Sequence, residues 1–72
     1  MKLKEKIKLL EETFDADEGS ITAETVLENQ IWWDSMAKLS LIVMLEDVHG
    51  KRLSGDQIRA MKTVQDILAY ME

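Results

Sequence analysis

The residue with the most chemical promise in this chain is a serine. Ser35 stands in the run Trp32-Trp33-Asp34-Ser35-Met36, directly ahead of a strongly apolar stretch that continues to Val48. Asp34 is a good helix N-cap, because its carboxylate can accept a backbone N–H of the turn that follows. A hydroxyl just inside a helix start lies near free backbone N–H groups and the positive end of the helix dipole, where a phosphate diester is well received. The same serine also reads as an ordinary part of a helix cap. Other candidates are weaker. His49 is the only histidine and the chain has no cysteine, so a thiolate nucleophile and a Cys-based metal site are excluded. Near a helix C-terminus a partly positive His49 ring is favoured by the dipole. Asp15-Ala16-Asp17-Glu18-Gly19 suggests a calcium loop by composition, but the closing bidentate glutamate would fall at Val26. No metal site is expected. Without a Gly-rich phosphate loop either, no set of catalytic residues emerges, and an enzyme is not expected.

The elements that must position Ser35 follow from periodicity. Leu3, Ile7, Leu10 and Phe14, with Leu9 beside them, form an amphipathic stripe that predicts a first helix from about Lys2 to Thr13. Asp15 to Trp33 loses that period and reads as a long loop with room for a helical turn, anchored at Ile21, Val26, Leu27 and Ile31. A loop of this length in a small domain points to function. The second helix ends near His49, with Gly50 free to take the left-handed cap. Ser54 with Gln57 is a capping-box pattern for a short third helix, and Thr63 with Asp66 repeats it less ideally ahead of Val64, Ile67, Leu68 and Met71. The class is all-α: a small four-helix bundle with one long loop between helices I and II and a short helix III. Its inward set is expected to be Leu3, Ile7, Leu10, Leu39, Ile42, Leu45, Val64, Ile67 and Leu68.

Seventy-two residues without proline, repeat or low-complexity segment read as one domain, 1–72. The formal charge of −5 disfavours a nucleic-acid partner. A helix-turn-helix built from Ser54 to Tyr70 fails on the same ground, since residues 51–72 net only +1. Charge is unevenly spread: Lys2, Lys4, Lys6 and Lys8 make the start basic, while Glu11 to Asp34 holds eight acidic residues and no Lys or Arg. That acidic stretch should attract a basic partner. No apolar run reaches the roughly 20 residues of a membrane span and no signal core follows the first lysines, so an unprocessed chain with no membrane partner is expected. Without cysteine the cytoplasm is the default compartment, and a monomer is expected.

Trp33-Asp34-Ser35-Met36, placed where a long loop meets the most apolar helix, resembles the Asp-Ser-Leu signature of acyl and peptidyl carrier proteins. The resemblance covers nearly the whole chain. Leu39, Leu41, Ile42, Val43, Leu45, Glu46 and Asp47 continue in the order that family shows, Lys62-Thr63-Val64-Gln65-Asp66-Ile67 looks like the start of its last helix, and Thr25 and Leu27 match its loop. The resemblance implies that Ser35 is esterified with 4′-phosphopantetheine from coenzyme A by a separate phosphopantetheinyl transferase, which supplies the Mg²⁺ and the general base. Ser35 is then a substrate, and the arm's thiol holds acyl or aminoacyl groups as thioesters for loading and transferring enzymes. Asp34 would belong both to the cap and to the surface the transferase reads. Met36, Val43, Glu46, Asp47 and Trp33 would belong to the partner-docking surface. This sequence departs from the fatty-acid-synthesis pattern at Ala37 and Ser40, often acidic there, and at Lys38. That departure implies partners in a dedicated pathway. The alternative is an unmodified helical interaction module.

Overall fold

The apolar stripe of the first segment forms α1 (Leu3–Phe14), which closes at Asp15 in the left-handed region at φ 53°. Aspartate tolerates that region better than most residues. The computed structural model describes residues 2–71 and holds three further helices: α2 (Ser35–His49), α3 (Gly55–Arg59) and α4 (Val64–Leu68). There is no β-strand among the described residues. The all-α expectation holds, with helix bounds within a residue of those read from the sequence for α1 and α2.

Local chemistry sets most of the ends. Ser54 Oγ accepts the Gln57 N–H at 3.2 Å while Gln57 Oε1 accepts the Ser54 N–H at 2.8 Å, a reciprocal pair that starts α3. At α4 the Asp66 carboxylate accepts the N–H groups of Lys62 at 2.8 Å and Thr63 at 3.1 Å. Those two bonds stabilise the ionised form and lower the Asp66 pKa. Gly50 takes φ 64° after α2, and the turn closes through bonds from the Gly50 and Lys51 N–H groups to the carbonyls of Glu46 and Leu45.

The long loop contains the anticipated helical turn, a 3-10 turn at Leu27–Asn29. Its start is folded back on α1 by Glu11, a buried carboxylate that accepts the Gly19 N–H at 2.7 Å. Gly19 sits at φ 82°, a conformation that favours glycine. Farther on, the loop meets α4. Ala23 and Thr25 carbonyls accept the N–H groups of Gln65 (2.9 Å) and Val64 (3.0 Å), the Leu27 N–H reaches the Lys62 carbonyl (2.9 Å), and Val26 pairs with Thr63. Ile21 and Leu27 are buried as anchors. The expected anchors Val26 and Ile31 are not. Val26 points outward from its bridge, and Ile31 is 98% exposed in the turn whose Trp33 N–H bonds the Gln30 carbonyl.

Leu10, Leu45, Val64, Ile67 and Leu68 lie in the core as expected, with Ile7 and Ile42 packed at its margin. Leu3 and Leu39 do not; they are 58% and 56% exposed. Leu3 opens α1 at the edge of the bundle. For Leu39 the reason is angular. A helix turns about 100° per residue, so residues three apart drift by about 60° and the set 39, 42, 45 fans across the helix. Ala37, Leu41, Met44 and Leu45 share the inward face instead. Because α2 is apolar nearly all round, its pattern does not mark which face packs.

Replacing the fully buried Leu45 by alanine should therefore cost about 2–5 kcal/mol in urea denaturation. The same change at Leu39 should stay within about 0.5 kcal/mol. Equal losses at the two positions would contradict the observed rotation of α2.

Candidate functional site

Ser35 is the first residue of α2 and is exposed. Two bonds from Asp34 fix the turn it stands on. Asp34 Oδ1 accepts the Ala37 N–H at 2.8 Å and its backbone carbonyl accepts the Lys38 N–H at 3.0 Å. The N–H groups of Ser35 and Met36 have no intrahelical acceptor, as at any helix start. Lys38, three residues on and hence next to Ser35 on the helix surface, is the cation of this first turn.

The approach to the serine is held by aromatic packing. Phe14, the last residue of α1, stacks on Trp32 with ring centroids 4.7 Å apart and planes 12° from parallel. Trp33 meets Phe14 edge-on at 5.7 Å and Trp32 at 6.3 Å. Such geometries contribute about 0.5–1.5 kcal/mol per pair beyond burial. Both tryptophans are half-buried, so both anchor the loop, and Trp33 also has Lys38 Nζ 5.6 Å from its ring centre. A shallow hollow of about 250 Å³ lies between the end of α1 and the start of α2, lined by Phe14, Trp32, Asp34, Met36 and Ser40 among others.

Residues singled out from the sequence fall together on one side of α2. Met36 is 70% exposed, Val43 half exposed, and Glu46 and Asp47 face solvent farther along. Leu39 lies between Met36 and Val43, giving the face an apolar centre that the sequence reading had assigned to the core. Glu46 is engaged by Arg52 at 3.3 Å. Ala37, whose missing charge counts as a change in that face, is buried, and Ser40 is half-buried, so the departure there is carried by Lys38 and Ser40. The buried Glu11 and the loop carbonyls at Ala23 and Thr25 had no signal in the sequence, because their partners are remote or are backbone atoms.

With this geometry in place, the comparisons with known proteins decide the family. The chain is 35% identical over 64 residues to the acyl carrier protein of Lactobacillus acidophilus, covering 89% of this chain and 80% of that one. It is 33% identical to that of Coprothermobacter proteolyticus, covering 89% and 78%. With that of Phytoplasma australiense it shares 33% over 94% and 91% of the two chains. The chain belongs to the acyl carrier protein family. No protein-family model and no solved structure matches it. A member of this family is a carrier and not an enzyme. No helix among the described residues is long and apolar enough to cross a membrane.

His49 in this carrier corrects a sequence expectation. Its Nε2 is shut off from solvent with no hydrogen-bond partner among the described residues. Burial first, then the nearby charges of Lys6 and Lys51, hold its pKa below the ordinary 6.5, so the ring is neutral at pH 7 despite the α2 dipole. The depressed pKa means that the unfolded chain takes up a proton first as pH falls through 6.5. Stability should thus be complete above that pH and decline below it. His49→Gln should remove this decline between about pH 7 and pH 5, read as denaturation midpoints; an unchanged pH profile would show that the ring does not titrate differently on folding.

Proposed function

We propose that Ser35 carries 4′-phosphopantetheine and that the protein holds acyl or aminoacyl intermediates as thioesters on that arm, presenting them to partner enzymes. The observation that carries the reading is the placement of Ser35: exposed, on the first turn of α2, and held by the Asp34 cap and the aromatic trio behind it. The residues present suit a phosphate diester. The first-turn N–H groups and the α2 dipole favour its charge, and Lys38 beside Ser35 offsets the Asp34 carboxylate. When bound, the arm supplies a thiol to a chain that has no cysteine. The chain's own residues give it a fixed starting direction and an open approach for the transferase.

Docking of loading and transferring enzymes is assigned to the exposed face of α2: Met36 and Val43 with Leu39 between them, Glu46 and Asp47 at its far end, and Trp33 at its near edge. Lys38 and Leu39 put a cation and an apolar side chain on the Ser35 end of that face. Partners selected for a strongly acidic α2 are poorly matched to it. This supports service in a dedicated biosynthetic pathway.

Incubation with coenzyme A, Mg²⁺ and a broad-specificity phosphopantetheinyl transferase should add one phosphopantetheine to the intact mass. Ser35→Ala should abolish the gain and leave the helical circular dichroism unchanged, because Asp34 still caps α2. Absence of any gain with several transferases would favour an unmodified interaction module, and a gain at Ser20, Ser40 or Ser54 would refute the site. Reversing both charges at Glu46 and Asp47 should slow association with the cognate loading enzyme and reduce its salt dependence. An unchanged association rate would place docking elsewhere.

A further inference from the structure

Two features coincide on α1, away from Ser35. A groove of about 460 Å³ runs between α1 and the loop segment 18–23, with Leu3, Ile7, Ile21 and Ala23 as its apolar walls. Lys4 and Lys8 border it on the helix, and Leu3 is more than half exposed in it. None of its lining belongs to α2, so it is separate from the face that holds Ser35, Leu39 and Val43. Its charge is graded along its length: lysines toward the start of α1, Glu11 and Glu18 at the other end. Glu11 is already engaged by the Gly19 N–H. The ion pairs among the described residues, Arg52 with Glu46 and Arg59 with Asp56, involve neither Lys4 nor Lys8.

We propose that this groove docks an amphipathic helix of a partner protein, its apolar stripe laid on Leu3 and Ile7 and its carboxylates on Lys4 and Lys8. Three matches argue for that occupant. The groove follows α1 from residue 3 to residue 11, about 12 Å or two helical turns, the length over which an i, i+3, i+4, i+7 stripe engages. Lys4 and Lys8 are one turn apart, the repeat at which a second helix presents its own acidic residues at i and i+4. Glu18 at the far end suits a lysine or arginine one or two turns along that helix. Because the site is separate from α2, a carrier held there keeps its Ser35 end free for other enzymes. This second surface does not depend on modification of Ser35.

The full chain, labelled with ¹⁵N, can be titrated with two synthetic helical peptides that share one leucine stripe, flanked by glutamates in one and by lysines in the other. Phosphatidylglycerol vesicles serve as a third probe. The glutamate peptide should move the amide signals of Lys4, Ile7, Thr22 and Ala23 and bind about tenfold more tightly than the lysine peptide. Lys4→Glu with Lys8→Glu should reverse that order, Leu3→Ser should weaken both peptides, and Ser35→Ala should bind like wild type. Leu3, Lys4 and Lys8 lie on α1 and, like Ser35, face solvent, so the fold should survive these substitutions, as circular dichroism would report. Equal affinity for the two peptides, shifts centred on α2, or binding to the vesicles in place of the peptides would overturn the proposal. So would a dimer in sedimentation whose interface covers Leu3, since a second copy would then be the occupant.

Discussion

A helix of five residues cannot support itself, and this bundle contains two. Isolated helices need about 12–15 residues to be even marginal in water, yet α4 supplies Val64, Ile67 and Leu68 to the core. What it lacks in length is made up from the long loop. Carbonyls at Ala23 and Thr25 receive the first free N–H groups of α4, and the Leu27 N–H returns a bond to the Lys62 carbonyl. Loop and helix complete one another: the loop carbonyls find donors, and α4 acquires its starting turn. The irregular stretch is therefore a structural member of the bundle, and the position of everything after it depends on that attachment.

The direction of Ser35 follows. Between the anchored Leu27 and the start of α2 the chain has few residues in which to wander, and the last of these are packed. Trp32 and Trp33 close on Phe14, so the end of α1 and the beginning of α2 are joined through three rings. The Asp34 cap then sets the first turn. A side chain can thus be exposed while its base is held in place, a combination suited to a group that must be reached by large enzymes yet always leave the surface at the same place.

Features encoded within three or four residues were legible in the sequence. The Asp34 cap, the Ser54 and Gln57 pair, the Gly50 turn and, apart from the exposed Leu3, the stripe of α1 all depend on near neighbours and appear as read. Features that join distant segments were not. The bonds from the loop to α4 use backbone atoms, which carry no residue signature, and the Glu11 latch depends on where Gly19 is brought. Leu39 was misassigned because a helix apolar on most sides leaves its packing face to be chosen by the partners around it. His49 was misjudged because the lysines that oppose its charge reside on another element and in the turn beyond. Within the candidate site, the serine and its cap were readable, while the apolar centre of the surrounding face was not.

The exposure of Met36 has a further consequence, one of redox chemistry. In a chain without cysteine the thioethers are its native sulfur, and Met44, Met61 and Met71 are sheltered in the core while Met36 faces solvent next to Ser35. An oxidant meets Met36 first among these four. Conversion to the sulfoxide makes that side chain polar and chiral, and methionine sulfoxide reductases can reverse it. Mild oxidation would therefore alter the surface met by a visiting enzyme while leaving the packing beneath it intact.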